Sequence, residues 1–222
     1  MSSPDAPPPP VLAARNLTVS RGGRQLFAGL DVSVPPGGAL LLRGPNGAGK
    51  TSLLLALCGA IRLETGDVQF SGAGADGDGA GRLHLLLVQN AVKPRLTVGE
   101  NLEFWRTLNG PDGIATGAAL ERVGLGGLES IEAGHLSTGQ TRRLALARLL
   151  VSQRPVWLLD EPSTALDSDG EALVRDMIVA HCAAGGIAVV ATHHDLGLSG
   201  RGIGLETLMF SAGTTQLSEV PW

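Results

Sequence analysis

One stretch constrains this chain more than any other: Gly44, Pro45, Asn46, Gly47, Ala48, Gly49, Lys50 and Thr51 in succession. Before it lies a short, wholly apolar run, Ala39 to Leu42, of the kind buried in a parallel sheet. After it comes a helical pattern from Thr51 to Ile61. In that setting three glycines let the backbone wrap so that successive N–H groups point inward. They make an anion nest, with a helix N-terminus behind it. Lys50 adds a compact charge for β- and γ-phosphates, and the Thr51 hydroxyl is offered to Mg²⁺. Only Lys50 and Lys93 among the 17 basic residues are lysines. A lysine kept in so arginine-rich a background points to work that a planar guanidinium does not do.

The rest of the chain reads as the strand–helix alternation of an α/β parallel sheet. From Val11 to Val34 apolar residues alternate around a Gly22-Gly23 turn, which predicts antiparallel strands. Asp67 to Phe70, Leu83 to Val88, Val156 to Leu159, Ile187 to Thr192 and Leu205 to Phe210 read as further strands. Thr97 and Glu100 form a capping box opening a helix through Trp105, and residues 97–135 carry helical pattern without a strand. Helices are also predicted from Ser137 to Val151 and from Ser168 to Ala184. Residues 1–10 are Pro-rich without apolar pattern and are expected to be a disordered tail; residues 71–81 read as a glycine-rich surface loop. The organisation expected is that tail followed by one domain over 11–222, with a helical subdomain at about 97–150.

Composition removes several function classes. With 43% hydrophobic and 17% charged residues the chain is not a disordered polyelectrolyte. A net charge of −4 offers no basic field for nucleic acid. No uncharged apolar run is long enough to predict a membrane span, and the N-terminal stretch lacks the basic and apolar regions of a signal peptide. Cys58 and Cys182 stand far apart, so no disulfide framework or zinc ribbon is indicated and a reduced compartment is expected.

Two more polar clusters carry chemistry. The apolar run from Val156 ends in Asp160 and Glu161, the first suited to Mg²⁺ and the second to polarising a water. Like the glycine-rich loop, this pair follows the C-terminal end of a strand, where such sheets bind ligands. Ser137, Thr138, Gly139 and Gln140 open a helix, with Arg142 and Arg143 one turn in. A serine N-cap with free N–H groups makes a second anion site. One γ-phosphate does not need two sites in one chain, unless the second serves a partner's nucleotide.

Together these residues resemble the nucleotide-binding subunits of ABC transporters. Gly44–Thr51 looks like the Walker A loop, Leu136–Gln140 the signature, and Val156–Glu161 the Walker B strand with its catalytic glutamate. Ser163–Asp167 looks like the D-loop, Gln89 the Q-loop residue and His193 the switch histidine. The resemblance runs in order over about residues 11–195. It implies a P-loop NTPase fold with a parallel core sheet, an N-terminal antiparallel β-subdomain and a helical signature subdomain. It also implies ATP hydrolysis with ATP and Mg²⁺ as cofactors. Glu161, His193, Gln89 and Lys50 would be catalytic, with Thr51, Gln89 and Asp160 at the metal. Ser137, Gly139 and Gln140 would reach the nucleotide in trans across a head-to-tail homodimer, with the Asp167 loop beside them.

A narrower resemblance lies in residues 93–105, 120–129, 133–150 and 154–167, which look like the haem-exporter ATP-binding subunits of cytochrome c maturation. It implies a membrane-spanning partner at the cytoplasmic face of a bacterial inner membrane, and a cycle that drives haem delivery by releasing a haem chaperone. Haem is expected to be the pathway's cargo and not a ligand here, since no CxxCH occurs. Two departures stand out. Arg21 fills the slot where the family often has an adenine-stacking aromatic, in a chain without tyrosine. Thr138 stands where glycine is commonest in the signature, with its N–H still available.

Other readings cover parts of the pattern. One is the ATPase subunit of another small exporter. Another is a soluble ABC-type ATPase of DNA repair or translation, opposed by the negative charge, the single cassette and the lack of a coiled-coil arm. A third is a non-hydrolysing nucleotide module, which Glu161 opposes. Strand alternation predicts that only one of His193 and His194 faces the γ-phosphate; the resemblance selects His193, with His194 facing away. Cys58 and Cys182 read as packing thiols, His84 as a strand residue, His181 as a helix-surface residue, and Phe104 with Trp105 as packing within the helical lobe.

Overall fold

The computed structural model describes residues 11–72, 83–211 and 214–218. The expectations for residues 1–10 and for most of the loop over 71–81 lie outside the described residues. Alternating apolar positions build a hairpin from β1 (Val11–Arg21) and β2 (Arg24–Val34). The far edge of β1 pairs antiparallel with β4 (Thr65–Ser71), which gives a three-stranded sheet ordered β2-β1-β4. Its inward side chains, among them Leu12, Leu17, Phe27 and Val32, are buried.

The core sheet has six strands. Their order is β5 (Leu83–Leu86), β6 (Val156–Asp160), β7 (Ile187–Ala191), β3 (Gly38–Arg43), β8 (Gly204–Ser211) and β9 (Thr214–Ser218). The first five run parallel, and β9 closes the edge antiparallel to β8. Burial on both faces is why β3, β6 and β7 read as continuous apolar runs. The pleat sorts their side chains. Leu40, Leu42, Leu158 and Val189 join a core under the three-stranded sheet and α1 (Lys50–Leu57). Ala39, Leu41, Leu159 and Val190 join a second core under the remaining helices. Those are α2 (Val98–Asn109), α3 (Thr116–Arg122), α4 (Thr138–Val151) and α5 (Ser168–Ala183). Leu158 is fully buried at the centre, so Leu158→Ala should cost about 2–5 kcal/mol.

Helix ends follow local chemistry. Thr97 and Glu100 make the capping box expected of α2: the Glu100 N–H donates to Thr97 Oγ1 at 3.1 Å and the Thr97 N–H to Glu100 Oε2 at 2.8 Å. α1 ends at Leu57, short of the expected Ile61. Gly59 takes φ +74, its N–H reaches the Ala56 carbonyl, and the Ala60 N–H reaches the Leu55 carbonyl. That is a Schellman stop, open to glycine at little cost. The sequence carries no signal for β9, because Thr214 to Ser218 is mostly polar and takes its partner from β8.

Candidate nucleotide site

Walker-type loop and acidic pair meet at the C-terminal end of the parallel strands. The loop over Gly44–Gly49 leaves β3 and runs straight into α1. At Gly44 φ is +138, and a Cβ there would lie 2.3 Å from the Phe210 carbonyl oxygen on β8. Any side chain would force the loop off the sheet. Gly49, also at positive φ, caps α1 without a side-chain hydrogen bond, so the first N–H groups of that helix are left to the loop's interior. Lys50 is buried, and its Nζ donates to the carbonyls of Gly44 at 2.7 Å and Pro45 at 3.0 Å. Asn46 and Gly47 are exposed at the rim, with Ala48 half-buried.

Thr51 Oγ1 donates to Asp160 Oδ2 at 2.8 Å. Asp160 is buried, and burial lifts its carboxyl above the usual carboxylate range. The Thr51 hydroxyl, Lys50 and Arg142 pull it back, while Glu161 adds to the rise. A hydroxyl and a carboxylate side by side beneath a phosphate nest are hard oxygen donors. They suit Mg²⁺, which keeps several waters and takes few protein ligands.

Glu161 follows with φ +46, a left-handed conformation that is costly for a residue with a Cβ. Its N–H donates to the Ala191 carbonyl at 2.7 Å. Oε1 lies 2.9 Å from His193 Nδ1, and Oε2 is buried without a hydrogen-bond partner among the described residues. A carboxylate with one oxygen held by an imidazole and the other open as an acceptor is arranged to orient and activate a water.

The signature residues open α4. Ser137 caps α4 in a capping box: the Gln140 N–H donates to Ser137 Oγ at 3.2 Å and the Ser137 N–H to Gln140 Oε1 at 2.9 Å. Ser137 and Thr138 are exposed and Gly139 half-buried. Among the described residues no hydrogen bond joins Ser137, Gly139 or Gln140 to the loop over 44–51. Asp167 caps α5, accepting from the Gly170 N–H at 2.9 Å and from Arg143 Nη2 at 3.0 Å; the Gly170 N–H first, then Arg143, holds its carboxyl below the usual range. Gln89 is exposed on the segment after β5. Arg21 is exposed at the tip of the β1–β2 hairpin, opposite Arg24. That hairpin reaches the loop through Leu26 and Phe27, which flank Gly49.

Two histidines depart from expectation. His194 does not face away from His193: β7 stops at Ala191, the His194 N–H donates back to Thr192 Oγ1 at 3.1 Å, and the two rings lie 3.9 Å apart. Strand alternation ends before it reaches them. His181 is no surface residue. It stacks on Trp157 at 4.0 Å, its Nε2 lies 3.2 Å from the Ile187 carbonyl, and burial draws its pKa down to about 4. In the sequence Arg142 stands out only as a residue near the signature. It is 2% exposed and sits at the junction of all these segments.

Comparison with known proteins gives the family. The family model described as ABC transporter matches residues 27–164. The chain is 48% identical over 190 residues to the "Cytochrome c biogenesis ATP-binding export protein CcmA" of Chelativorans sp., covering 85% of this chain and 94% of that one. It is 43% identical over 189 residues to the protein of the same name in Brucella abortus, covering 85% and 88%. A solved structure described as a putative ABC transporter ATP-binding protein from Pyrococcus furiosus shares the fold, with a TM-score of 0.74 at 24% identity over 89% of this chain and 96% of that one.

Proposed function

The chain belongs to the ATP-binding proteins of ABC transporters, and from that premise we propose that it is the ATP-hydrolysing subunit of a membrane export complex in c-type cytochrome biogenesis. The relatives named for that process cover 85% of the chain, which supports the process. The observation that carries the chemistry is the convergence of Lys50, the Thr51–Asp160 pair and the Glu161–His193 pair at one end of the sheet.

ATP enters with its phosphates in the loop over Gly44–Gly49, against the N–H groups of α1. Lys50 Nζ turns from the Gly44 and Pro45 carbonyls to the β- and γ-phosphate oxygens. Thr51 and Asp160, with Gln89, would hold Mg²⁺, which would supply neutralisation of phosphate charge. Glu161 Oε2 accepts a hydrogen bond from the attacking water. The water oxygen bonds to the γ-phosphorus as the bond to the bridging oxygen breaks, and ADP and phosphate result. His193 holds Glu161 from its other oxygen and turns its remaining ring nitrogen to the γ-phosphate. Ser137, Gly139 and Gln140 serve the nucleotide of a second copy in a head-to-tail dimer; the exposure of Ser137 at the start of α4 supports this. The membrane-spanning partner lies outside this chain, whose described helices include none long and apolar enough to cross a bilayer. On this reading the complex works at the cytoplasmic face of the inner membrane, with haem as the pathway's cargo and not a ligand of this subunit.

The test has two arms. Glu161→Gln should cut steady-state hydrolysis at least about 100-fold while binding ATP and shifting the protein toward dimer in light scattering. Lys50→Arg should lose both binding and turnover, because a planar fork does not fit a point-charge nest. Full hydrolysis by Glu161→Gln removes the assigned role. In cells, deletion of the gene should abolish holo-cytochrome c, and the tagged subunit should co-purify with a multi-span membrane protein. Normal cytochromes in the deletion strain would redirect the reading to another small exporter.

A further inference from the structure

Arg142 is a buried cation with every donor assigned. Its Nε donates to the Pro162 carbonyl at 3.0 Å. Nη2 donates to the carbonyls of Asp160 at 3.0 Å and Glu161 at 2.7 Å. Nη1 donates to the Leu87 carbonyl and to Asn90 Oδ1, both at 2.8 Å. A guanidinium has five N–H bonds, and all five are used. Burial draws its pKa down only to about 10, with Asp160 and Glu161 opposing the fall, so it is charged at neutral pH.

The acceptors define what the residue does. Asp160, Glu161 and Pro162 are consecutive, and in an extended strand successive carbonyls point to opposite sides. Here β6 ends at Asp160, Glu161 turns at φ +46, and all three carbonyls meet one guanidinium. Such a conformation is costly for a residue with a Cβ and persists only where the surroundings over-determine it. The other arm of the fork holds the segment carrying Gln89, and the residue itself rides on α4, which opens with the signature serine.

We propose that Arg142 is the positioning residue that imposes the left-handed turn at Glu161 and ties it to the Gln89 segment and to the signature helix. Movement of the Gln89 segment or of α4 then changes the aim of the Glu161 carboxylate without Arg142 itself touching the nucleotide. This rests on Glu161 as the residue that activates water. Lysine cannot replace Arg142, since three donors on one atom cannot reach five acceptors spread around a planar fork.

The experiment compares wild type with Arg142→Lys, Asn90→Ala and Glu161→Gln. Arg142→Lys should lower kcat at least about tenfold with KM for ATP within about twofold. Amide exchange should rise at residues 87–90 and 160–164 and not in β1 and β2. Asn90→Ala removes one acceptor on a half-buried loop, so it decides the matter if Arg142→Lys fails to fold. It should lower kcat about threefold, again with KM held. In the Glu161→Gln background, single-turnover hydrolysis should be insensitive to Asn90→Ala, because the effect acts through that carboxylate. Unchanged kcat in a folded Arg142→Lys protein, or an Asn90→Ala effect that appears in KM alone or persists in the Glu161→Gln background, overturns the proposal. Undiminished turnover in Glu161→Gln itself would instead remove the assignment of the carboxylate.

Discussion

The Thr51 hydroxyl donates to Oδ2 of Asp160 at 2.8 Å, so the first turn of α1 is tied to the last residue of β6. The bond orients both oxygens before any nucleotide arrives. Burial makes it a compromise, because the Asp160 carboxyl is lifted above the usual carboxylate range despite Thr51, Lys50 and Arg142 nearby.

A carboxyl whose folded pKa lies above its unfolded value takes up protons on folding. Its contribution to stability is present at low pH and is lost as pH rises from the ordinary carboxylate range through the folded value. Asp160→Asn removes that loss. The nucleotide-free variant should melt at or a few degrees above wild type at neutral pH, roughly 2–4 °C per kcal/mol for a domain of this size. Its hydrolysis should fall at least about 100-fold. Calorimetry with a parallel ATPase assay checks both, and a clear fall in Tm would mean the ionised carboxylate stabilises the empty fold.

A second titration runs the other way. Burial draws both His84 and His181 from 6.5 to about 4, His84 with its Nε2 on the Ser152 carbonyl at 2.9 Å. Each is neutral in the fold and protonates more readily unfolded. Their contribution is therefore present above pH 6.5 and is lost as pH falls toward 4, up to roughly 3 kcal/mol per histidine. Urea unfolding across that range should show a steep fall in stability. The His84→Gln/His181→Phe double variant should flatten it, and an unchanged slope would place the acid sensitivity elsewhere.

Local chemistry was legible in the sequence, and tertiary placement was not. The loop over Gly44–Thr51 needs only glycines between a buried strand and a helix, and the N-caps Thr97 and Ser137 carry their partners three residues on. Strand order β5-β6-β7-β3-β8-β9 has no local signal, since each neighbour is chosen by crossovers. Arg142 was passed over for a related reason. Its acceptors are carbonyls from two distant segments, and in a chain so rich in arginine one more on a helix does not stand out. His181 misled because its helical position looks exposed until Trp157 is placed against it.

Arg21 sits at the tip of the hairpin whose Leu26 and Phe27 flank Gly49, and Arg24 lies opposite it. A guanidinium over an adenine face gains on the order of 1 kcal/mol, so Arg21→Ala should weaken ATP binding about fivefold with kcat unchanged. Arg21→Ala/Arg24→Ala should weaken it further if either cation can cover the base. Equal affinity in the double variant, by fluorescent-nucleotide titration, would show that the base is held by neither.

His193 and His194 give the sharpest contrast between pattern and structure. Alternation along β7 would send one ring toward Glu161 and the other away, but the strand ends at Ala191. Thr192 then accepts the His194 N–H through its hydroxyl, which bends the chain and brings both rings to one side. His193 takes the contact with Glu161 at 2.9 Å, and His194 lies against the back of that ring at 3.9 Å between centroids, tilted by 43°. His193→Ala should therefore lose about 100-fold in kcat with ATP binding retained. His194→Ala should not match wild type, as a residue facing away would. Loss of the packed ring lets His193 wander, and kcat should fall about two- to fivefold with affinity unchanged. His194→Phe, which restores a flat ring without a titratable nitrogen, should recover most of that loss. If His194→Ala is inactive while His193→Ala turns over normally, the two rings exchange roles and the contact with Glu161 is not the working one.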